Sequence, residues 1–205
     1  MSLTNELDND NDNEMVRENE VETKKIILKN EYFCFSSQKK NNYIANCKIV
    51  NNNIRMNDLL NFNLLKLMYQ LNSDIFETID FTIINENEAN VYLLIKPLLK
   101  NLGIWQRFVS LKFTRSVLSD DTVIFVGVPD HEYGKLKHTC KNAIFAPLNK
   151  IIFYCDVSPT NMNALNLTTY FCLEENFVFP MMLEKLVGTI FKRVYKNIKK
   201  GIESL

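Results

Sequence analysis

The chain has 205 residues, 46% of them hydrophobic, and its 24 basic residues balance 24 acidic ones. This length predicts a single globular domain with an appendage, and the apolar content excludes a wholly disordered chain. The sequence has no run of about 18 uncharged apolar residues, so it predicts no membrane-spanning helix.

The charges are unevenly distributed along the chain. Residues 1–22 hold eight acids and one base, a net charge of −7, which leaves 23 bases and 16 acids, a net charge of +7, for the remainder. Because the acidic segment has few apolar residues and repeats Asn and Asp, we predict a disordered leader at residues 1–23 and one domain at 24–205. Zero net charge therefore does not exclude an anionic partner.

The first residues lack the basic and apolar regions of a secretory signal. The five cysteines are widely spaced and form no CxxC pair, a pattern typical of reduced thiols rather than of a disulfide framework or a zinc site. Together these features predict a cytoplasmic protein.

Short strands and one helix are predicted in the first half. Apolar residues without Gly or Pro predict the helix over residues 56–70. The strands are expected at residues 26–28, 32–35, 43–50, 81–84 and 91–95.

The second half alternates more clearly between apolar and polar residues, which predicts strands at residues 107–117, 122–128, 151–157 and 165–173. The polar segment 129–141 is expected to be a loop. A long helix is expected to begin with Pro180 at its first position, to run to Lys200, and to stop at Gly201. Apolar residues at helical spacing form one stripe of that helix, and lysines and an arginine form the opposite face.

These elements predict an α+β fold, a curved antiparallel sheet of about seven strands wrapped around a long C-terminal helix. A helix follows the third strand. Residue periodicity leaves open whether the sheet and the last helix enclose a solid core or a hollow.

This order of elements resembles the helix-grip fold and, more narrowly, the START family of lipid-transfer domains. Three stretches carry the resemblance: the helix and its exit at residues 56–76, the strand 105–112 with the strand at 120–126, and residues 166–173 followed by 179–183. The likeness spans about residues 43–203. Where the family has Arg-Asp before Phe-Val, this chain has Gln106-Arg107, so the acidic member is lost.

The resemblance implies lipid binding in an apolar cavity and lipid transfer between membranes, with a phospholipid or a sterol as ligand and no cofactor or metal. Arg107 and Lys112 are the candidates for contacts with the polar end of the lipid. The candidates for its apolar part are Phe113, Phe125, Phe153, Phe171, Leu183, Val187, Ile190, Phe191 and Val194.

A transient membrane surface is the second expected partner, and we expect a monomer that reaches the membrane as a peripheral protein. Aromatic, methionine and basic residues near or on the last helix are the candidates for docking. They are Trp105, Met181, Met182, Lys192, Arg193 and Lys196.

Two alternatives remain open at this point. One is a START-like protein-interaction module with a filled cavity. The other is a helix-grip enzyme of the cyclase or hydrolase type, although His131 and His138 lie in no recognisable catalytic motif. The basic residues are dispersed and no basic-helix or zinc motif occurs, so we expect no nucleic-acid partner.

Overall fold

The structure is a computed structural model that describes residues 24–97, 105–138, 140, 142–177 and 181–205. The leader predicted at residues 1–23 and the predicted helix start at Pro180 lie outside the described residues. Met181 and Met182 belong to a helix, but their side chains also lie outside the description.

One sheet dominates the described residues, and it contains ten strands. Its order is β1-β2-β3-β10-β9-β7-β6-β5-β4, and every neighbouring pair on this path is antiparallel. The short β8 pairs with the start of β6 in parallel. The strands are Lys25–Lys29 (β1), Phe33–Lys39 (β2), Asn42–Val50 (β3), Phe76–Ile83 (β4), Glu88–Ile95 (β5), Arg107–Ser119 (β6), Thr122–Pro129 (β7), Ile144–Phe145 (β8), Leu148–Ser158 (β9) and Asn161–Leu173 (β10).

Alternation along the central strands decides which face of the sheet is buried. In β9, Ile151, Phe153, Cys155 and Val157 are buried, and the residues between them are more exposed. Leu167 in β10 lies opposite Cys155 and is fully buried on the same face. Since paired residues of neighbouring strands share a face, the apolar positions form one continuous inner surface.

Three α-helices are present in the described part of the chain: Phe62–Gln70 (α1), His131–Lys137 (α2) and Met181–Glu203 (α3). The Asn61 side chain caps α1 by accepting a hydrogen bond from the Asn63 backbone N–H at 2.8 Å. The helices α1 and α3 contribute buried side chains to the main core on the inner face of the sheet. A smaller cluster around Tyr92 and Phe108 includes Tyr133 of α2.

The segment 129–141, predicted to be a loop, contains the helix α2, so that prediction was wrong. Its sequence is polar because α2 is short and buries only Gly134 fully. The Asp130 side chain caps this helix by accepting from the Tyr133 backbone N–H at 2.9 Å. Local capping thus stabilises a helix that has little apolar periodicity.

Two further predictions differ from the structure in detail. The helix predicted at residues 56–70 is divided into a 3₁₀ turn, Met56–Leu59, and α1, because Asn61 is extended and caps α1. Gly201 does not stop the last helix, which continues to Glu203. A Cβ atom at Gly201 would overlap the Leu71 side chain, so this glycine permits close packing between the end of α3 and the end of α1.

Candidate functional site

A cavity of about 300 Å³ lies between α3, the end of α1 and the inner face of the sheet. Small-molecule sites in proteins measure about 300–1,000 Å³, so this cavity is at the lower end of the range. Its wall is almost entirely apolar. The side chains come from α1 (Met68, Tyr69), from the strands (among them Leu93, Leu111 and Phe153) and from α3 (among them Val187 and Val194).

Aromatic side chains line the cavity beside the first half of α3. The Phe191 ring lies 4.4 Å from the Phe171 ring of β10 and 5.3 Å from the Phe35 ring of β2, measured between ring centroids. Gly188 brings the same part of α3 close to Phe35, since a Cβ there would lie 3.2 Å from the Phe35 Cδ1. The helix therefore rests on β1 and β2 at this end, next to the hollow over the central strands.

Five of the described residues that line the cavity carry a polar group: Tyr43, Tyr69, Asn72, Glu184 and Tyr195. The Asn72 amide donates to the Met68 carbonyl at 2.9 Å, and its Oδ1 accepts from Asn197 at 3.1 Å. The Tyr195 hydroxyl donates to the Thr169 hydroxyl. Asn72 and Tyr195 thus have protein partners.

Glu184 and Tyr43 form a polar group at the first turn of α3. The Tyr43 hydroxyl donates to Glu184 Oε1 at 3.2 Å, and Lys25 Nζ donates to Glu184 Oε2 at 2.9 Å. Burial and the neighbouring Glu184 carboxylate raise the pKa of Tyr43 to about 12, so its hydroxyl stays protonated at neutral pH. The Glu184 side chain is only 16% exposed, whereas Lys25 is 59% exposed.

Five of the apolar residues predicted for the lipid line the cavity: Phe153, Phe171, Val187, Phe191 and Val194. Phe113 and Phe125 lie instead in the solid part of the core, where the Phe125 ring packs 5.3 Å from the Phe62 ring of α1. Leu183 and Ile190 are half-buried on α3 and are not part of the cavity wall.

The two cationic candidates, Arg107 and Lys112, do not line the cavity. Lys112 pairs across the sheet with the exposed Val128 and forms an ion pair with Glu88 at 3.0 Å. Its neighbours Leu111 and Phe113 are fully buried on the inner face, so strand alternation turns Lys112 outward. Arg107 begins β6, and its Nη1 donates to the Phe145 carbonyl at 3.2 Å.

The residues predicted for membrane docking are partly on the surface. Trp105, two residues before β6, is 64% exposed, and Lys196 is exposed on α3. Lys192 is half-buried, and Arg193 forms an ion pair with Asp74. No helix in the described ranges is long and apolar enough to span a bilayer.

Sequence reasoning missed the five polar residues described in the cavity wall. Tyr195 follows Phe191 by four residues and precedes Ile198 by three, so helical spacing was a sufficient signal for it. Glu184 precedes Val187 by three residues, so the same helical spacing was available for it, but a charged residue was not considered for the apolar stripe. Tyr43 and Asn72 carry no local signal, because only the packing of α1, β3 and α3 brings them to the cavity.

Comparison with known proteins identifies the architecture. No family model and no curated protein matches the sequence. Solved structures do match. Human StAR-related lipid transfer protein 5 is 13% identical with a TM-score of 0.66, covering 92% of this chain and 89% of that chain. The lipid transfer and protein localization domain of human StarD13 is 10% identical with a TM-score of 0.65, and the match covers 90% of this chain and 91% of that chain.

A bacterial structure extends the same likeness. The STAR-related lipid transfer protein from Xanthomonas axonopodis is 9% identical, with a TM-score of 0.60, and the match covers 88% of this chain and 97% of that chain. The chain therefore has a helix-grip fold. More narrowly, it has the fold of the START domains, as the order of its elements predicted, although the sheet has ten strands in the described residues instead of about seven.

Proposed function

We propose that this protein binds a lipid, a sterol or a phospholipid, in the cavity beneath α3 and transfers it between membranes. The observation that carries the proposal is the apolar wall of the cavity. Each buried methylene contributes ~0.8 kcal/mol, so about ten methylenes contribute ~8 kcal/mol before the entropic cost of binding. The names of the structural neighbours, which include lipid transfer, support the same function.

The cavity favours a lipid carrier over a module that only binds proteins. A filled interior is the expectation for such a module, whereas here α3 and the sheet leave about 300 Å³ between them. Binding and release of a lipid require no catalytic group, and we propose that the protein is not an enzyme. His131 and His138 support this, because they pack on Phe145 and Phe108, away from the cavity wall.

Transfer requires contact with a membrane, and we propose that α3 and Trp105 supply it. Trp105 offers an exposed aromatic ring of the kind that inserts at the level of the headgroups. Lys192 and Lys196 form no ion pair within the described residues, and each base near an anionic surface contributes about 1 kcal/mol. A cytoplasmic monomer that docks transiently fits this arrangement.

Native mass spectrometry of the full chain, followed by extraction and identification of any bound lipid, tests the binding step. Transfer of a fluorescent lipid from donor to acceptor liposomes tests the second step. We expect a bound lipid at a ratio of one to one and a transfer rate that rises with protein concentration. A chain that carries no lipid after incubation with liposomes and transfers none would contradict the proposal.

A further inference from the structure

The charge of the cavity wall restricts the kind of lipid that the cavity accepts. Among the described residues that line it, Glu184 is the one charged side chain. Asn72 and Tyr195 are hydrogen-bonded to other protein groups. Tyr69 contributes a hydroxyl whose pKa is raised by burial, so this group is uncharged. A polar end of the lipid that lies at the first turn of α3 therefore meets the carboxylate of Glu184.

The Glu184 carboxylate retains capacity to accept a further hydrogen bond. Its two oxygens offer about four lone-pair positions, and, within the part of the chain that the structure describes, the contacts with Tyr43 and Lys25 occupy one on each oxygen. Lys25 is 59% exposed, so solvent screens much of its attraction for the carboxylate. Glu184 thus remains an acceptor at the edge of an apolar cavity.

An anionic lipid end meets no compensating cation among the described residues of this wall. Lys25 is already paired with Glu184, and Lys112, which we expected to contact the headgroup, is paired with Glu88 and is not part of the wall. Like charges close together in a partly buried site repel strongly, whereas a hydroxyl donates to a carboxylate and gains a charge-assisted hydrogen bond.

Building on the proposed function, we propose that Glu184 selects a lipid whose polar end is an uncharged hydroxyl and discriminates against carboxylate, phosphate or sulfate ends. The preferred class includes sterols and long-chain alcohols. Of the two ligand types proposed for the cavity, a sterol and a phospholipid, selection for a hydroxyl end favours the sterol.

A matched set of single-chain ligands tests this selection. Dodecanol, dodecanoate and dodecyl phosphate carry the same apolar chain and differ in the polar end. Their dissociation constants are measured at neutral pH by displacement of a fluorescent apolar probe from the full chain. We expect the alcohol to bind about tenfold more tightly than either anion, the effect of gaining or losing one charge-assisted hydrogen bond.

The variant Glu184→Gln keeps the size and an acceptor oxygen but removes the charge. We expect the preference for the alcohol to fall to about threefold or less. The matched control is Glu88→Gln, which removes the carboxylate of a similar ion pair outside the cavity wall. We expect the control to keep the full preference. Equal loss in both variants, or no loss in Glu184→Gln, overturns the inference.

The same titrations separate this inference from the proposed function. If all three ligands displace the probe with equal affinity, lipid binding stands and the selection by Glu184 is wrong. If the probe does not bind and no ligand is detected by native mass spectrometry, the proposed function fails, and the inference that rests on it fails as well.

Discussion

The Tyr195 hydroxyl of α3 donates a hydrogen bond to the Thr169 hydroxyl of β10, and both residues are buried almost completely. Burial raises the pKa of Tyr195, so the group stays a protonated donor. Tyr195 also lines the cavity. This bond therefore fixes the middle of α3 against the sheet beside the hollow.

Removing the Tyr195 hydroxyl leaves Thr169 buried without its partner. We expect Tyr195→Phe to lower the free energy of unfolding by about 1–3 kcal/mol. In the double variant Tyr195→Phe/Thr169→Val both polar groups are gone, and we expect most of that loss to be recovered. Urea denaturation of the four proteins of this double-mutant cycle measures the coupling. Strictly additive effects would show that the two hydroxyls do not interact.

Filling the cavity distinguishes a hollow from a solid core. Val187→Phe adds volume at a cavity wall position, and Val157→Phe adds the same volume at a buried core position outside the wall. We expect Val157→Phe to cost about 1–3 kcal/mol of stability by overpacking, and Val187→Phe to cost less than about 1 kcal/mol. Lipid affinity is expected to fall about tenfold in Val187→Phe, because one to two methylene contacts are lost.

Thermal and urea unfolding measure the stability of both variants, and displacement of the apolar probe measures their affinity. Equal destabilisation by the two substitutions would mean that α3 packs on the sheet without a hollow.

Gly201 is expected to be required for the approach of α3 to α1. Alanine favours a helix by about 1 kcal/mol over glycine, yet we expect Gly201→Ala to lose about 1–3 kcal/mol because its Cβ overlaps Leu71. We expect the double variant Gly201→Ala/Leu71→Ala to lose less stability than the sum of the losses in the two single variants. If Gly201→Ala stabilises the protein, the glycine serves no packing role.

The basic face of α3 is expected to contribute to membrane docking. We predict that Lys192→Glu/Lys196→Glu weakens binding to anionic liposomes at least tenfold without lowering thermal stability, because each base contributes about 1 kcal/mol at the surface. The control is Lys48→Glu/Lys150→Glu, with the same change of charge at exposed positions in β3 and β9. Liposome co-sedimentation compares them. An equal effect of both pairs would indicate net charge alone as the cause.

Stability is expected to fall at alkaline pH. Burial raises the pKa of Cys47 and of Cys155 from 9.0 to about 12, and burial with the Glu184 charge raises that of Tyr43 from 10.0 to about 12. Because these groups bind protons more tightly when folded, their stabilisation is complete below pH 9 and is lost as the pH rises towards 12. Urea unfolding between pH 8 and 11 measures this loss.

The double variant Cys47→Ala/Cys155→Ala checks which groups cause that alkaline loss. Without the two thiols, we expect the onset to move from about pH 9 to about pH 10, where tyrosines begin to ionise in the unfolded chain. An unchanged onset would exclude the two cysteines as its cause.

Much of the fold was predictable because it depends on local periodicity. Alternation placed the strands around Leu165–Leu173, and helical spacing placed the apolar stripe of α3. Local periodicity did not predict which buried residues form the solid core and which line the cavity. Phe125 and Phe153 alternate identically in their strands, yet only Phe153 lines the cavity. The difference depends on the separation between the sheet and the helices, which no local pattern specifies.

The positions of the charged side chains relative to the cavity were the hardest feature of the site to predict from the sequence. Lys112 alternates with apolar neighbours, which placed it on a polar face, and the structure puts it in a surface ion pair. The half-buried acid Glu184 was not predicted, because a carboxylate in a helix rich in lysine resembles a solvated residue. Its burial results from contacts with Tyr43 and Lys25, more than 140 residues away in the sequence.

Photolabelling with a lipid tests the central claim most directly. A sterol carrying a photoreactive diazirine is incubated with the full chain, irradiated, and its attachment sites are mapped by mass spectrometry. We expect covalent labels on cavity wall residues such as Phe171, Val187 and Phe191, and we expect unlabelled sterol to compete with the labelling. Labels confined to the outer face of the sheet, or unaffected by competitor, would contradict lipid binding beneath α3.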